Sequence, residues 1–305
     1  MLPLLFPWIL VVLLIIAIIL SFGKKWKLVA VLLVLAAILN WWAECIPLRL
    51  WQMNENGSDR TIKVMSFNID GTKEDFRIKA PQLARQIINY APDIIFVAEL
   101  CEKNKPYLDT LLLNDYPYIN SSVDCWNCFY SKYPLTDWEI IEDDEGKGVG
   151  TYKSKVGLGK DTLVLYGCHL ASNNYSADNK YITPDSINSH KDLKQYFSDI
   201  RHAYSMRGKE TEIVFGDISK TAHPVIVMGD MNDVGGSASI RTLEDAGLKD
   251  AWWEGGFGYG ATIHRPLPYR IDHIMYSVEL KLKEIKVIDS EGMSDHDALF
   301  AKFEY

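Results

Sequence analysis

The sequence predicts a mixed α/β domain carried behind a hairpin of two apolar helices. Three observations lead there. The first 43 residues are almost wholly apolar. Beyond residue 60, short runs of consecutive apolar, often β-branched residues recur, and several end in an acidic or amide residue. Between two such runs, 61–67 and 94–98, lies a segment whose apolar residues have helical spacing. Continuous apolar runs suit strands buried on both faces. A strand–helix–strand succession implies a sheet with helices against it.

The N-terminus comes first. Met1 to Gly23 holds no charged side chain and is long enough to span a hydrocarbon core as a helix. Lys24, Lys25 and Lys27 follow, then a second apolar run from Leu28 to Ala43, with Trp26, Trp41 and Trp42 where interfacial aromatics belong. No basic residue precedes the first run, which argues against a cleaved signal peptide. The lysines place the turn in the cytoplasm, so the rest of the chain is expected outside it, anchored to the membrane. Glu44 to Arg60, polar and holding Pro47 and Asn56-Gly57-Ser58, reads as a tether. Residues 61–305 are expected to form one domain.

Composition bounds the function. At 48% apolar residues the chain can bury a sizeable core. A formal net charge of -8 and a pI near 5.4 argue against a broad basic surface for nucleic acid. They leave room for a local basic cleft, or for a metal ion supplying positive charge. Cys125 and Cys128 form a C-x-x-C pair that an oxidising compartment could close, but no second ligand pair for zinc is evident. Cys45 falls at the membrane boundary, and Cys101 and Cys168 read as buried and inert.

Within the domain, Thr61 to Phe67 reads as a strand, and Asn68 and Asp70 emerge from its end on one face. A helix is expected over Ala80 to Tyr90, with Leu83, Ile87 and Ile88 inward, stopped by Pro92-Asp93. Ile94 to Ala98 is a buried strand with Glu99 at its end. Leu193 to Val214 reads as a helix loosened near Gly208, and Gly216-Asp217 as a turn. Val225 to Met228 is a strand that stops at Gly229 and delivers Asp230 and Asn232. A carboxylate at a strand end binds a metal or takes a proton, and an amide beside it holds a phosphate oxygen. Ligands of open α/β sheets gather at the carboxyl ends of the strands, where Asn68, Asp70, Glu99 and Asp230 all arrive.

Three of these stretches, with one near the C-terminus, carry a resemblance. Ser66-Phe67-Asn68-Ile69-Asp70-Gly71, Ala98-Glu99, Gly229-Asp230-Met231-Asn232 and Ser294-Asp295-His296 resemble, in order, the motifs of the endonuclease/exonuclease/phosphatase superfamily. Its members include DNase I-like nucleases, apurinic-site endonucleases, inositol polyphosphate 5-phosphatases and bacterial sphingomyelinases. The strand from Thr162 to Cys168 leads to His169-Leu170, similar to the family's His-Leu motif, and Arg270 to Tyr276 resembles the strand that carries its buried aspartate, here Asp272. Asp297 to Phe303 closes the sheet.

The resemblance implies two mixed β-sheets packed as a sandwich with flanking helices, and hydrolysis of phosphate esters with Mg²⁺ or Mn²⁺. It implies Glu99 as principal metal ligand, with Asn68, Asp70 and Asp295 helping. Asp230 would orient or deprotonate the attacking water, and Asn232 and His169 would contact the phosphate. His296, paired with Asp272, would act on the phosphate or the water. His273 should point to the opposite face of its strand. Arg270, Arg265 and His264 are candidates for local phosphate contacts, and Ser172 to Asp185 for a specificity loop.

The expected substrate is a phosphoester in nucleic acid, a nucleotide or a phospholipid head group, and no obligate protein partner is evident. The competing readings are a silent domain that binds a phosphorylated ligand and a transporter. The second is disfavoured because the hairpin buries no charge.

Overall fold

The computed structural model describes residues 2–49, 60–121, 126–143, 146, 148–173, 190–264 and 267–305. Cys125, Arg265 and most of the expected specificity loop lie outside them.

Strands that are apolar at every position need a hydrophobic layer on each face, and the fold provides both. Among the described residues, one six-stranded sheet runs in the order β11 (Lys281–Ile288), β12 (Ala298–Glu304), β1 (Thr61–Asn68), β2 (Ile94–Ala98), β4 (Asn127–Ser131), β3 (Tyr118–Ser121). The other runs β5 (Leu135–Glu142), β6 (Gly148–Leu158), β7 (Asp161–His169), β8 (Val225–Asp230), β10 (Asp272–Ser277), β9 (Leu248–Asp250). The β1–β2 and β7–β8 pairs are parallel and the rest antiparallel, so both sheets are mixed.

The central core lies between the sheets. Val64 of β1, Phe96 of β2, Leu165 of β7, Met228 of β8 and Ile274 of β10 meet there. The alternate residues face outward. Met65, Phe67, Ile95 and Val97 pack under α3 (Phe76–Tyr90) and α4 (Lys105–Leu112). Val164, Tyr166 and Val227 pack under α5 (His190–Ile218) and α6 (Ala238–Asp245). The result is a four-layer α/β sandwich, as the resemblance implied.

Two local readings need correction. The helix expected to loosen at Gly208 continues unbroken to Ile218, because Ile200, Ala203, Arg207, Thr211 and Val214 form one buried stripe. Gly216-Asp217 is therefore the last turn of that helix. Asp217 is held by the Tyr166 hydroxyl at 2.7 Å and Lys153 at 2.7 Å.

The hairpin consists of α1 (Phe6–Phe22) and α2 (Trp26–Ala43). The helical stretches Pro3–Phe22 and Trp26–Ala43 are long and apolar enough to cross a membrane, with mean hydropathies of 3.1 and 1.8. The expected tether begins differently: its first residues lie on the domain. Gly258 N donates to Pro47 O at 3.0 Å, and Leu48 bridges to Phe257. Residues 50–59 are outside the described part.

Candidate active site

The strand registers assemble the site. His169, Asp230 and Asp272 are consecutive partners across β7, β8 and β10, so their side chains stand in one row. All three share the inward-facing phase of their strands with core residues such as Leu165, Met228 and Ile274, one step beyond the apolar core. Asn68 ends β1 in the same phase as Val64, and Glu99 follows β2. The two sheets therefore bring these groups to one edge of the sandwich. His273, the neighbour of Asp272, falls on the other face.

Gly229 makes the row possible. With φ at 145°, a Cβ there would lie 1.9 Å from the Cys168 carbonyl oxygen, so only glycine lets β7 and β8 pair this closely. Asp70, Glu99 and Asn232 hold left-handed backbone conformations at the strand ends, with φ of 47°, 59° and 51°. Such strain in non-glycine residues gathers at functional sites.

Asn68 bridges the acids, its Nδ2 donating to Glu99 Oε1 at 2.9 Å and Asp230 Oδ2 at 3.1 Å. Its Oδ1 accepts from Asp70 N at 3.2 Å. His169 Nε2 lies 3.4 Å from Glu99 Oε1. His296 Nδ1 meets Asp272 Oδ2 at 2.8 Å, and its Nε2 lies 3.8 Å from Asp230 Oδ2. Asn232 N caps Asp230 Oδ1 at 2.8 Å, while Asn232 Nδ2 donates to Leu170 O at 2.9 Å. Ser294 Oγ ties the His296 segment to β1 through Asn68 O at 2.8 Å.

The electrostatics match this geometry. Burial works against the Glu99 charge, but the bonds from His169 and Asn68 outweigh it and hold the carboxyl down to about 2. Burial likewise opposes the His296 charge, but Asp272 and Asp230 lift it to about 10. Burial and the Asp272 carboxylate push Asp230 up. The ligand atoms of Glu99, His169 and Asp230 all lie within 4.8 Å of one another, as do those of Asp230, Asp272 and His296. Asp272 Oδ1 is buried with no hydrogen-bond partner. Acidic oxygens in excess of imidazoles, one of them unsatisfied, fit a hard divalent cation.

Asp70 and Asp295 stand beside this cluster rather than in it. They line an adjoining cleft of about 400 Å³ with Lys73 and His264, and Lys73 pairs with Asp70.

A family model described as Endonuclease/Exonuclease/phosphatase family matches residues 65–296, which include every one of these groups. The chain belongs to that family. Solved structures of similar fold include TDP2 from C. elegans (TM-score 0.59, 19% identity, covering 80% of this chain and 98% of that one). D. rerio TDP2 complexed with single strand DNA product gives a TM-score of 0.60 at 17% identity, covering 81% of this chain and 100% of the other. A family protein from Leptotrichia buccalis gives 0.56 at 18%, covering 80% and 100%. No curated protein sequence matches the chain.

Set in this endonuclease/exonuclease/phosphatase domain, one expected contact is not brought to the cleft. Arg270 is 2% exposed, its Nη1 donating to Asp250 Oδ2 at 2.6 Å and its Nη2 to Glu44 O at 3.3 Å. A buried guanidinium takes the nearest carboxylate, and Asp250 lies behind the site. His273 Nδ1 joins the same carboxylate at 2.7 Å, and its Nε2 meets Asp233 O at 3.0 Å. The pair thus braces the loop that follows Asn232.

Sequence reasoning missed a second brace. Arg207 of α5 is wholly buried, and its Nε reaches Asp233 Oδ2 at 3.4 Å, while Nη1 donates to Ala171 O at 2.7 Å. Glu210, one turn on, accepts from Ala171 N at 2.9 Å. One helix thereby fixes the loops after both His169 and Asp230. The available signal was a lone charge in an apolar stripe of helical period. Arg207→Ala leaves Asp233 buried and unpaired, and we expect urea melts to record a loss of about 3–5 kcal/mol. Arg207→Lys, which lacks the fork, should recover only part of it.

Proposed function

We propose that the protein is a divalent-metal-dependent phosphodiesterase, anchored in a membrane by α1 and α2 with its domain on the extracytoplasmic side. The observation that carries this reading is the convergence of Glu99, His169, Asp230, Asp272 and His296, with Asn68, at one sheet edge. Family membership and a relative bound to a DNA product support a phosphodiester as ligand.

A phosphodiester resists attack because its own charge repels the nucleophile. Mg²⁺ or Mn²⁺, held by Glu99 and neighbouring carboxylates, would neutralise that charge. His169 and the positively charged His296 would meet the anionic phosphoryl oxygens, and Asn232, whose Nδ2 gives one hydrogen to Leu170 O, would offer the other to one of them. Asp230, whose affinity for a proton is raised by burial beside Asp272, accepts the proton of the attacking water. Asp272 fixes the His296 ring through Nδ1 and leaves Nε2 toward the reacting centre. No side-chain nucleophile is needed, so no covalent intermediate forms.

The test is turnover of bis(p-nitrophenyl) phosphate by the full chain with Mg²⁺ or Mn²⁺. EDTA should reduce it to background, and re-added Mn²⁺ should restore it. Metal binding by calorimetry without turnover of any phosphoester would identify a silent ligand-binding domain instead.

A further inference from the structure

The loops that dock the hairpin are the loops that build the active site. Gly235 and Gly236 lie three and four residues after Asn232 on its loop. A Cβ at Gly236, whose φ is 73°, would lie 2.7 Å from Ala43 Cα, and one at Gly235 would lie 3.0 Å from Glu44 O. The C-terminal end of α2 thus rests on the Asn232 loop at backbone contact. Arg241, at the start of α6, donates to Trp42 O.

The 256–271 segment makes the second connection. At one end Gly258 N binds Pro47 O, and Phe257 pairs with Leu48. At the other, the Tyr269 hydroxyl accepts from Trp8 Nε1 at 3.0 Å, and Arg270 reaches Glu44 O. Its middle is active-site wall. Thr262 O accepts from Asp297 N at 2.7 Å, Ile263 bridges to His296, and His264 Nε2 meets Asp297 Oδ2 at 2.8 Å. Asp272 follows immediately. One segment therefore touches the hairpin, the residues that follow it and the cleft.

The same region presents apolar side chains to the outside. Phe257 is 60% exposed, Leu267 44% and Leu48 68%. Leu48 and Phe257 pair just beyond the α2 end, where Trp41 and Trp42 are also exposed, and Leu267 lies two residues from Tyr269, which bonds Trp8 of α1. Large apolar groups clustered beside two apolar helices mark a surface that rests in a membrane interface.

We propose that Leu48, Phe257 and Leu267 sit in the head-group layer of the membrane that holds α1 and α2, and that the cleft hydrolyses the phosphodiester of a phospholipid in that membrane. This rests on the phosphodiesterase reading above. In the reaction the water oxygen forms a new P–O bond as one ester P–O bond breaks. The water proton passes to Asp230, and the leaving alkoxide takes a proton from solvent. The hairpin then does more than tether: it fixes the height and tilt of the cleft against the lipid surface. A substrate already confined to that surface reaches the site at high effective concentration.

The experiment uses the full chain reconstituted in vesicles of phosphatidylcholine, phosphatidylethanolamine and phosphatidylglycerol with Mn²⁺. Lipid hydrolysis is measured beside hydrolysis of bis(p-nitrophenyl) phosphate and of a single-stranded oligonucleotide. Lipid turnover should rise with the mole fraction of phospholipid when the bilayer is diluted with neutral detergent. Phe257→Asp combined with Leu267→Asp should lower lipid turnover at least about tenfold and leave the soluble diester within about twofold. Cleavage of the soluble diester or the oligonucleotide without lipid hydrolysis overturns the lipid assignment and leaves the phosphodiesterase reading standing. Equal loss of both activities in the double variant also overturns it. No turnover of any substrate sinks both.

Discussion

Asp230→Asn lowers kcat by about 10²–10⁴-fold, the range lost with a positioned general base, while Tm stays at or above that of the parent. The two halves of this expectation come from the same environment. Asp230 is 2% exposed and lies beside the Asp272 carboxylate. Burial and that neighbour raise its proton affinity, so its ionised form is disfavoured in the folded protein even though His296 and His169 offset part of the cost. Asparagine is nearly isosteric and carries no charge. It relieves the repulsion, at the expense of one of the bonds now received from Asn68 and Asn232 N. A group kept against the interest of stability is a group kept for chemistry. Steady-state kinetics and calorimetric melts decide the matter. Unchanged kcat would remove Asp230 from the reaction, and a fall of several degrees in Tm would show it to be structural.

A large effect on stability is expected at Asp250, which is buried outside the row of His169, Asp230 and Asp272. Its carboxylate holds Arg270 and His273, at 2.6 and 2.7 Å, and all three side chains are buried. Asp250→Asn strands a guanidinium inside the protein, at a cost of about 3–5 kcal/mol. The pH dependence has a definite sign. Burial opposes the Asp250 charge, but the Arg270 charge and the His273 bond outweigh it and hold the carboxyl well below its ordinary range. A carboxyl with a depressed folded pKa contributes its stability above the unfolded value, near about 4, and loses it as the pH falls through the folded value. The gap between parent and variant in urea melts should therefore be full at neutral pH and narrow progressively in acid. A gap that does not change with pH would mean that the loss is one of shape, not charge.

The two residues show how far the sequence can be read. Asp230 was legible because it ends a strand of buried apolar residues and sits in a motif with Asn232. Its place in the row with His169 and Asp272 follows from local pattern and motif order. Asp250 was not legible. It ends a three-residue strand, β9, and its partners lie 20 and 23 residues further on. Nothing local says that a carboxylate there will be met by Arg270. The same long-range pairing drew Arg270 out of the cleft, although it stands two residues from Asp272. Arg207 lay between these cases, since its helix was legible but its partners at Ala171 and Asp233 were not.

The sequence by itself determined the strands that end in the acidic and amide residues, the edge at which those ends gather, the family, and the apolar hairpin. These depend on short-range periodicity: side chains alternate along a strand, and Gly229 admits one backbone geometry. Only the tertiary structure decided which charges pair, which loops the buried braces hold, and that the hairpin end packs on the Asn232 loop. Those outcomes depend on which groups share a desolvated space. A buried charge takes whatever counter-charge the fold brings within reach, and that is set by chain paths far apart in the sequence.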